Sequence, residues 1–311
     1  MTLSSIVRRL FSLPNLPFLL ALLLLLSTAL LKPITLQQPV YSYQIGFDIS
    51  QSMNVSDVTL DGQSVTRLAY AKSMAKSLLQ QLPCGSSVGW SVFTGRRTLT
   101  LITPLEVCEH YSGLMASLAE VDGTMRWSNG SSIGKGIHQI MRAADDFDEP
   151  TSIILMTDGQ EAPPLEQGQR GLPKTEHFEV NGLLVGVGGE TPVPIPKTDL
   201  RGQPIGFWSA EDVVQRVPAG FSAFGEEFSK RDDERLLSLA RLTQLEYVTL
   251  DSARNLTKSA LQTDYAQHRP TLTDVRWIPA SVALLLLLWK FIPKYSDLAG
   301  SKRFRVLSIK R

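Results

Sequence analysis

The sequence contains few of the residues on which many redox and metal sites depend. Its 311 residues include two cysteines and four histidines. Cys84 and Cys108 form neither a CxxC motif nor a zinc-binding pattern, which argues against redox and zinc sites. No two histidines stand at i and i+4 around a glutamate, so the helix typical of zinc proteases is excluded. The histidines are His110, His138, His177 and His268.

An excess of charge of either sign is also lacking. The chain has 31 basic and 30 acidic residues, a formal net charge of +1, and no basic cluster in its central part. Because phosphate binding needs concentrated lysine and arginine, nucleic acid is not the expected partner. The glycines of Gly130–Gly136 lack the spacing of a phosphate-binding loop, and those of Gly186–Gly189 precede no clear helix, so nucleotide binding is disfavoured as well.

Two apolar runs stand apart from the rest of the chain, at residues 14–31 and 277–293. A membrane-spanning helix needs about 20 mostly apolar residues, with about 17 as the lower limit, so both runs are predicted to span. The first is too long for a usual signal peptide, and no small-x-small cleavage site follows it before Lys32. The alternative for the second is a buried core helix, but its leucine run lacks a polar face.

Basic residues flank the two runs on their outer sides. Arg8 and Arg9 precede the first run, so the positive-inside rule places the tails 1–13 and 294–311 in the cytoplasm. The middle of the chain then faces the periplasm of a bacterial inner membrane, joined to the spans by linkers at 32–40 and 261–276. The basic residues after the second run are Lys294, Lys302, Arg303, Arg305, Lys310 and Arg311.

The two cysteines lie in the part predicted to face outward. They flank a predicted β-hairpin made of Ser87–Phe93 and Thr98–Ile102, which brings them near the open end of its strands. A disulfide between Cys84 and Cys108 is compatible with an oxidising compartment. Two separate buried thiols are the alternative.

Residues 41–260 alternate short β-rich runs with longer amphipathic stretches. This pattern is typical of an α/β fold with a doubly wound, mostly parallel sheet. A stretch rich in proline and glycine, residues 188–225, is predicted to be irregular. The predicted order is strand Tyr41–Asp48, helix Arg67–Leu82, the hairpin, helices Leu114–Val121 and Ile133–Ala144, strands Thr151–Met156 and Gly182–Val187, helix Asp233–Leu242 and strand Glu246–Leu250.

Oxygen-bearing side chains follow three of these elements. Asp48, Ser50 and Ser52 come at the end of the first strand, where open α/β sheets bind their ligands. Ser131 precedes a predicted helix, and Asp158 follows a buried strand. Carboxylates and hydroxyls are hard ligands that suit Mg²⁺. Each motif alone could be an ordinary turn or helix cap, but the three in this order predict a metal site.

These motifs resemble the metal-ion-dependent adhesion site of von Willebrand factor A domains. In that family the motifs are Asp-x-Ser-x-Ser, a threonine in Gly-Thr-x-x-Gly and the aspartate of Thr-Asp-Gly. The resemblance covers about residues 41–260 and implies a Rossmann-like fold and a divalent cation, Mg²⁺ before Ca²⁺ or Mn²⁺. Ser131 stands at the threonine position, which keeps the hydroxyl but loses the methyl that stiffens χ1, so metal affinity is expected to be weaker.

In such sites the protein leaves one coordination position open, and a partner protein fills it with an acidic side chain. The resemblance therefore implies adhesion or chaperoning by a binding module and not an enzyme. A serine hydrolase using Ser50 is the weaker alternative, because the sequence places no histidine as its base.

A helix at each end of such a domain resembles bacterial membrane proteins encoded beside MoxR-type ATPases. Five segments resemble the MxaL-type proteins of methanol dehydrogenase gene clusters more specifically. That resemblance implies a role in assembling, or inserting calcium into, a periplasmic quinone-dependent dehydrogenase. A general MoxR-associated complex with other von Willebrand factor A membrane proteins is the alternative. The segments are residues 82–90, 104–108, 157–164, 184–189 and 194–199.

Overall fold

A computed structural model describes residues 16–165, 171–172, 178–199, 201–215 and 225–291. The predicted tails at 1–13 and 294–311, and His177, lie outside the described residues. The chain divides into two compact units. One is Gln38–Arg269, and the other consists of the described residues of Met1–Gln37 and Pro270–Arg311.

The described residues contain strands and α-helices that we number in chain order. The strands are β1 (Ile34–Val40), β2 (Ser42–Asp48), β3 (Val58–Leu60), β4 (Gln63–Val65), β5 (Ser87–Thr94), β6 (Arg97–Glu106), β7 (Ser152–Thr157), β8 (Gly182–Gly186), β9 (Val193–Pro194), β10 (Pro196–Thr198), β11 (Pro204–Phe207), β12 (Phe228–Ser229), β13 (Glu246–Thr249) and β14 (Gln267–Thr273). The helices are α1 (Leu16–Leu30), α2 (Arg67–Leu79), α3 (Tyr111–Glu120), α4 (Ile133–Asp145), α5 (Asp233–Thr243), α6 (Ala253–Ala260) and α7 (Trp277–Phe291).

A six-stranded sheet forms the centre of the larger unit, with the strand order β13-β8-β7-β2-β5-β6. Its neighbours pair in parallel except for β5 and β6, which form an antiparallel hairpin. Strands β2, β7 and β8 are buried along their whole length. The nearly continuous apolar sequences of β7 and β8 follow from this position, because a central strand of a parallel sheet is covered on both faces.

Helices cover both faces of this sheet. Helices α2, α3 and α6 pack with Ile45, Phe47 and Trp90 on one face. Helices α4 and α5 pack with Phe93, Ile153 and Leu155 on the other. The sheet therefore lies between two apolar layers, and its strand ends stay open for loops that carry polar side chains.

The predicted element order of the central sheet is confirmed, and most boundaries agree within three residues. The predicted irregular stretch at 188–225 is partly wrong, because β10 pairs with β11 and β9 pairs with β12. These strands are too short, and too rich in proline, for a period-2 pattern to show in the sequence. The β3–β4 hairpin and helix α6 were not predicted.

The smaller unit contains the two apolar helices. Helix α1 packs against α7, and the Arg276 Nε donates a hydrogen bond of 3.0 Å to the Leu31 carbonyl. Each helix has 15 described residues. Among the residues that the structure describes, no helix is both long enough and apolar enough to cross a membrane.

The segments predicted as linkers contain regular structure. Strand β1 begins at Ile34 and strand β14 begins at Gln267, and the two pair as a separate two-stranded sheet.

Cys84 and Cys108 are joined by a disulfide, with their Cα atoms 5.3 Å apart, at the open end of the β5–β6 hairpin. Glu106 lies beside them, but sulfur atoms joined in a disulfide are not thiolate ligands, so this group does not form a metal site.

Candidate functional site

Asp48 is the last residue of β2 and is fully buried. Its Oδ1 accepts a hydrogen bond of 2.9 Å from the Ser50 backbone N–H. Its Oδ2 accepts a bond of 2.6 Å from the Thr157 hydroxyl on the neighbouring strand β7. Both bonds fix the carboxylate at the carboxyl end of the sheet, where ligands of open α/β folds bind.

The two serines of the first motif follow directly. The chain turns into a short 3-10 helix at Gln51–Asn54, which brings the Ser50 and Ser52 hydroxyls to 3.1 Å from each other. Both residues are buried. The turn therefore gathers two hydroxyl oxygens beside the Asp48 carboxylate, as the sequence motif predicts.

The third motif follows β7, and the parallel pairing of β7 with β2 brings it to the same end of the sheet. Phe47 is in register with Met156, so Thr157 and Asp158 come beside Asp48. Gly159 has a φ of 83°, in the left-handed region that favours glycine. This conformation turns the chain sharply after the strand, and the Gln160 backbone N–H donates a bond of 3.1 Å to Asp158 Oδ1.

Ser131 lies in the loop before α4. Its backbone exchanges hydrogen bonds of 2.7 and 2.8 Å with Ala162, and the neighbouring Ser132 N–H donates to the Gly95 carbonyl at 2.6 Å. The Ser131 hydroxyl is buried and has no hydrogen-bond partner among the described residues. A buried hydroxyl without a partner is unfavourable, so a ligand that contacts it would remove that cost.

The electrostatics of the site favour a cation. Burial, together with the nearby Asp158 carboxylate, raises the pKa of Asp48 to about 7, although the bonds from Thr157 and Ser50 lower it. A divalent cation would offset both the burial of the Asp48 carboxylate and its repulsion by Asp158, because the cation neutralises the two carboxylates. The oxygens of Asp48, Ser50, Ser52, Ser131 and Asp158 therefore fit a hard divalent ion.

Arg67 is a member of this site that the sequence motifs do not reveal. It is the first residue of α2 and is fully buried. Its Nη1 donates to Asp158 Oδ2 at 2.7 Å and to the Ser229 hydroxyl at 2.6 Å. The Ser229 hydroxyl donates in turn to the same Asp158 oxygen at 3.0 Å. One Asp158 oxygen is thus occupied by two protein donors, which leaves Oδ1 as its freer oxygen.

The other side of the Arg67 guanidinium forms a bidentate ion pair with Asp57. The Arg67 Nε and Nη2 lie 2.9 and 2.7 Å from the two Asp57 oxygens. Burial raises the pKa of Asp57, but the bonds and the charge of Arg67 outweigh it and hold that pKa below its ordinary value. A basic residue in the first turn of a helix opposes the helix dipole, and this is the one weak sequence signal for a special role of Arg67.

A short arm, formed by the paired strands β10 and β11, borders the first motif. Gln51, between the two serines, accepts a bond of 3.0 Å from the Thr198 N–H and donates one of 3.2 Å to Asn129 Oδ1. Arg126 donates to the carbonyls of Thr198 and Asp199 at 2.7 and 2.8 Å. The arm is therefore tied to the first two loops of the site.

Ser50 does not have the surroundings of a hydrolase nucleophile. Its hydroxyl has the Ser52 hydroxyl as hydrogen-bond partner, and no histidine among the described residues contacts it. A serine nucleophile needs a base within hydrogen-bond reach. The geometry therefore favours a ligand role for Ser50 over a nucleophilic one.

Residues 47–160 match the family described as von Willebrand factor type A domain. Asp48, Ser50, Ser52, Ser131 and Asp158 all fall within the matched residues. No curated protein matches the chain.

Several solved structures are similar to this chain. One is an aerotolerance-related membrane protein from Bacteroides fragilis, with 20% identity over 70% of this chain and 95% of that one, and a TM-score of 0.47. Another is the conserved hypothetical protein BatB from Bacteroides thetaiotaomicron, with 20% identity over 71% and 98% of the two chains and a TM-score of 0.45. A third is the ArnB paralog VWA2 from Sulfolobus acidocaldarius, with 17% identity over 49% and 36%, and a TM-score of 0.31.

Proposed function

We propose that the von Willebrand factor type A domain of this chain is a binding module that holds a divalent cation and, through it, an acidic side chain of a partner protein. Asp48, Ser50, Ser52, Ser131 and Asp158 supply the oxygens, and no chemical step is assigned to them. Mg²⁺ is the preferred ion, with Ca²⁺ and Mn²⁺ as alternatives, because the ligands are all hard oxygens.

The observation that carries this proposal is the buried carboxylate of Asp48. Its surroundings raise its pKa to about 7, and two hydroxyls lie beside it on the same turn. A buried carboxylate is costly without a compensating charge. A bound cation supplies that charge, while the buried Ser131 hydroxyl gains the partner that it lacks among the described residues.

The limited number of protein oxygens explains why a partner would be recruited. Mg²⁺ prefers octahedral coordination and usually keeps several waters. Arg67 and Ser229 already occupy one oxygen of Asp158, so the protein alone does not complete the ion's coordination shell. A carboxylate from another protein can replace a water, which makes binding of that protein depend on the metal.

Isothermal titration of the full-length chain with Mg²⁺, Ca²⁺ and Mn²⁺ tests the metal site. We expect one site in the wild type, and its loss in Asp48→Ala and in the closer mimic Asp48→Asn. Asp148→Ala, which removes an exposed carboxylate at the end of the α4 region, is the matched control and should bind like the wild type. Equal binding by all four proteins contradicts the proposal.

We extend the proposal to the cellular location. The two apolar segments would hold the protein at the bacterial inner membrane with the domain in the periplasm and both termini in the cytoplasm. The Cys84–Cys108 disulfide supports this placement, because disulfides persist in oxidising compartments. Protease added to intact spheroplasts should degrade the domain, whereas a domain that is cut only after lysis would contradict it.

The partner class follows from the sequence resemblance. The narrower role is assembly of, or calcium insertion into, a periplasmic quinone-dependent dehydrogenase, and the wider one is a complex with other von Willebrand factor A membrane proteins and a MoxR-type ATPase. Purification of the full chain with Mg²⁺ or with chelator distinguishes them. Metal-dependent recovery of the dehydrogenase supports the first role, and recovery of the ATPase complex without it supports the second.

A further inference from the structure

Four basic side chains line two adjoining cavities, one of which also contains Ser131. Arg96, Arg97 and Lys135 line the same cavity as Ser131, and Lys135 and Arg142 line a second cavity that adjoins it. We call these four residues and the cavities between them the basic groove. Arg96 and Arg97 lie on the β5–β6 turn, whereas Lys135 and Arg142 lie on α4. The two pairs come together because this turn lies against the helix.

The groove is attached directly to the metal-site loop. The Gly95 N–H donates to the Gly130 carbonyl at 2.8 Å, and the Ser132 N–H donates to the Gly95 carbonyl at 2.6 Å. Gly95 precedes Arg96 and Arg97, while Lys135 lies one turn after Ser131. Basic residues therefore flank the proposed ligand Ser131 on both of the segments that meet there.

A glutamine holds the turn and the helix together. Gln139 on α4 accepts a hydrogen bond of 2.9 Å from the Thr98 N–H and donates one of 3.1 Å to the Arg96 carbonyl. These two hydrogen bonds fix the backbone on either side of Arg97, next to Arg96 and Thr98. The positions of the two arginines relative to α4 are therefore set by the fold, although their side chains are exposed.

The charge of the groove is not neutralised by its surroundings. Within the described part of the chain, none of its four basic residues forms an ion pair. Of the residues that the structure describes, three with carboxylates line the same cavities, and one of them, Glu161, is already paired with Arg235 at 2.7 Å. Glu179 and Asp146 are the other two. Among the described residues that line these cavities, basic side chains thus outnumber carboxylates, in a chain whose net charge is only +1.

We propose that the basic groove binds an extended acidic segment of the partner protein, whose first carboxylate ligates the cation while the following ones lie against Arg96, Arg97, Lys135 and Arg142. This inference rests on the proposed metal-dependent binding and specifies the chemistry of the partner. The groove continues from a site that requires a carboxylate, so one strip of carboxylates satisfies both features. Four basic residues are too few for the extended basic face that nucleic-acid binding uses.

A fluorescein-labelled octaglutamate peptide serves as the probe for full-length protein at low salt. We expect Mg²⁺-dependent binding by the wild type, weakened about ten-fold or more in the double variant Arg96→Glu, Arg97→Glu. The matched control is Arg254→Glu, Lys258→Glu, which reverses two exposed charges on α6 at the opposite face of the sheet and should bind like the wild type. Arg142→Glu, on the exposed surface of α4, provides a second variant if the double variant does not fold.

The outcomes separate this inference from the function on which it rests. If the groove variants lose peptide binding but titrate normally with Mg²⁺, the result supports binding of the acidic segment by the basic groove. Peptide binding that is lost in the groove variants but does not depend on Mg²⁺ supports the basic groove as the contact for the acidic segment. It contradicts the metal-dependent function and, with it, ligation of the cation by the first carboxylate. Equal binding by groove variants and control, or tighter binding of an oligothymidylate strand than of octaglutamate, overturns the proposal.

Discussion

The hydroxyl of Thr157 donates a hydrogen bond of 2.6 Å to the Asp48 carboxylate, across two neighbouring parallel strands. Both residues are fully buried. The bond joins the first motif of the candidate metal site to the third, and it also orients Gly159, whose N–H donates to the Thr157 hydroxyl at 3.1 Å.

Thr157→Val should weaken Mg²⁺ binding about ten-fold, because residues that orient a metal ligand typically contribute that much to affinity. The valine keeps the volume but cannot stabilise the Asp48 carboxylate. Calorimetric titration with Mg²⁺ measures the change. Thr157→Ser retains the hydroxyl and should bind almost normally; weakening of the same size in the serine variant would show that packing, and not the hydrogen bond, is responsible.

Stability of the metal-free protein should depend on the protonation of Asp48. Its pKa rises from 3.8 to about 7 on folding, chiefly through burial and then through Asp158. The native state therefore holds a proton that the unfolded chain releases between these values. The stabilisation is fully present below the unfolded pKa and is lost as the pH rises through about 7.

Urea unfolding in chelator over this pH range measures the effect as the difference between wild type and Asp48→Asn. The unfolding free energy of the wild type should fall relative to the variant as the pH rises. The Asp48→Asn variant cannot titrate at this position, so it serves as the control for the wild type. Parallel curves for the two proteins would contradict the assignment.

Arg67→Met should destabilise the domain by about 3–5 kcal/mol, because it leaves Asp57 and Asp158 without their buried partner. Chemical unfolding measures the loss. Arg254→Met, on the exposed surface of α6, removes an equal charge and should change stability little. If the two variants unfolded alike, the Arg67 network would have no structural importance.

Removal of the disulfide by Cys84→Ser, Cys108→Ser should cost about 3–4 kcal/mol, because the bond closes a loop with a sequence separation of 24. Thermal unfolding with and without reductant tests this. Reductant should lower the melting temperature of the wild type and leave that of the double variant unchanged. If reductant left the melting temperature of the wild type unchanged, the disulfide would not form in the protein.

The sequence predicts the main fold well because its signals are local. The alternating apolar residues of the strand that ends at Asp48 and the amphipathic period of Ile133–Ala144 each specify one element without knowledge of the others. Strands β10 and β11 are not predicted from the sequence, because strands of three and four residues that contain proline carry no periodic signal. The position of β10 depends on Gln51 and Arg126, which both bind Thr198 from other parts of the chain.

The sequence by itself determined the alternation of strands and helices and the five oxygen-bearing residues from Asp48 to Asp158 that form the candidate site. Only the tertiary structure decided which charges accompany them. Arg67 lies 91 positions from Asp158 in the chain, yet the two side chains meet in the buried interior. The basic groove likewise joins the β5–β6 turn to α4. Such pairings arise from the packing of separate elements, and packing distances are not encoded in any local pattern of residues.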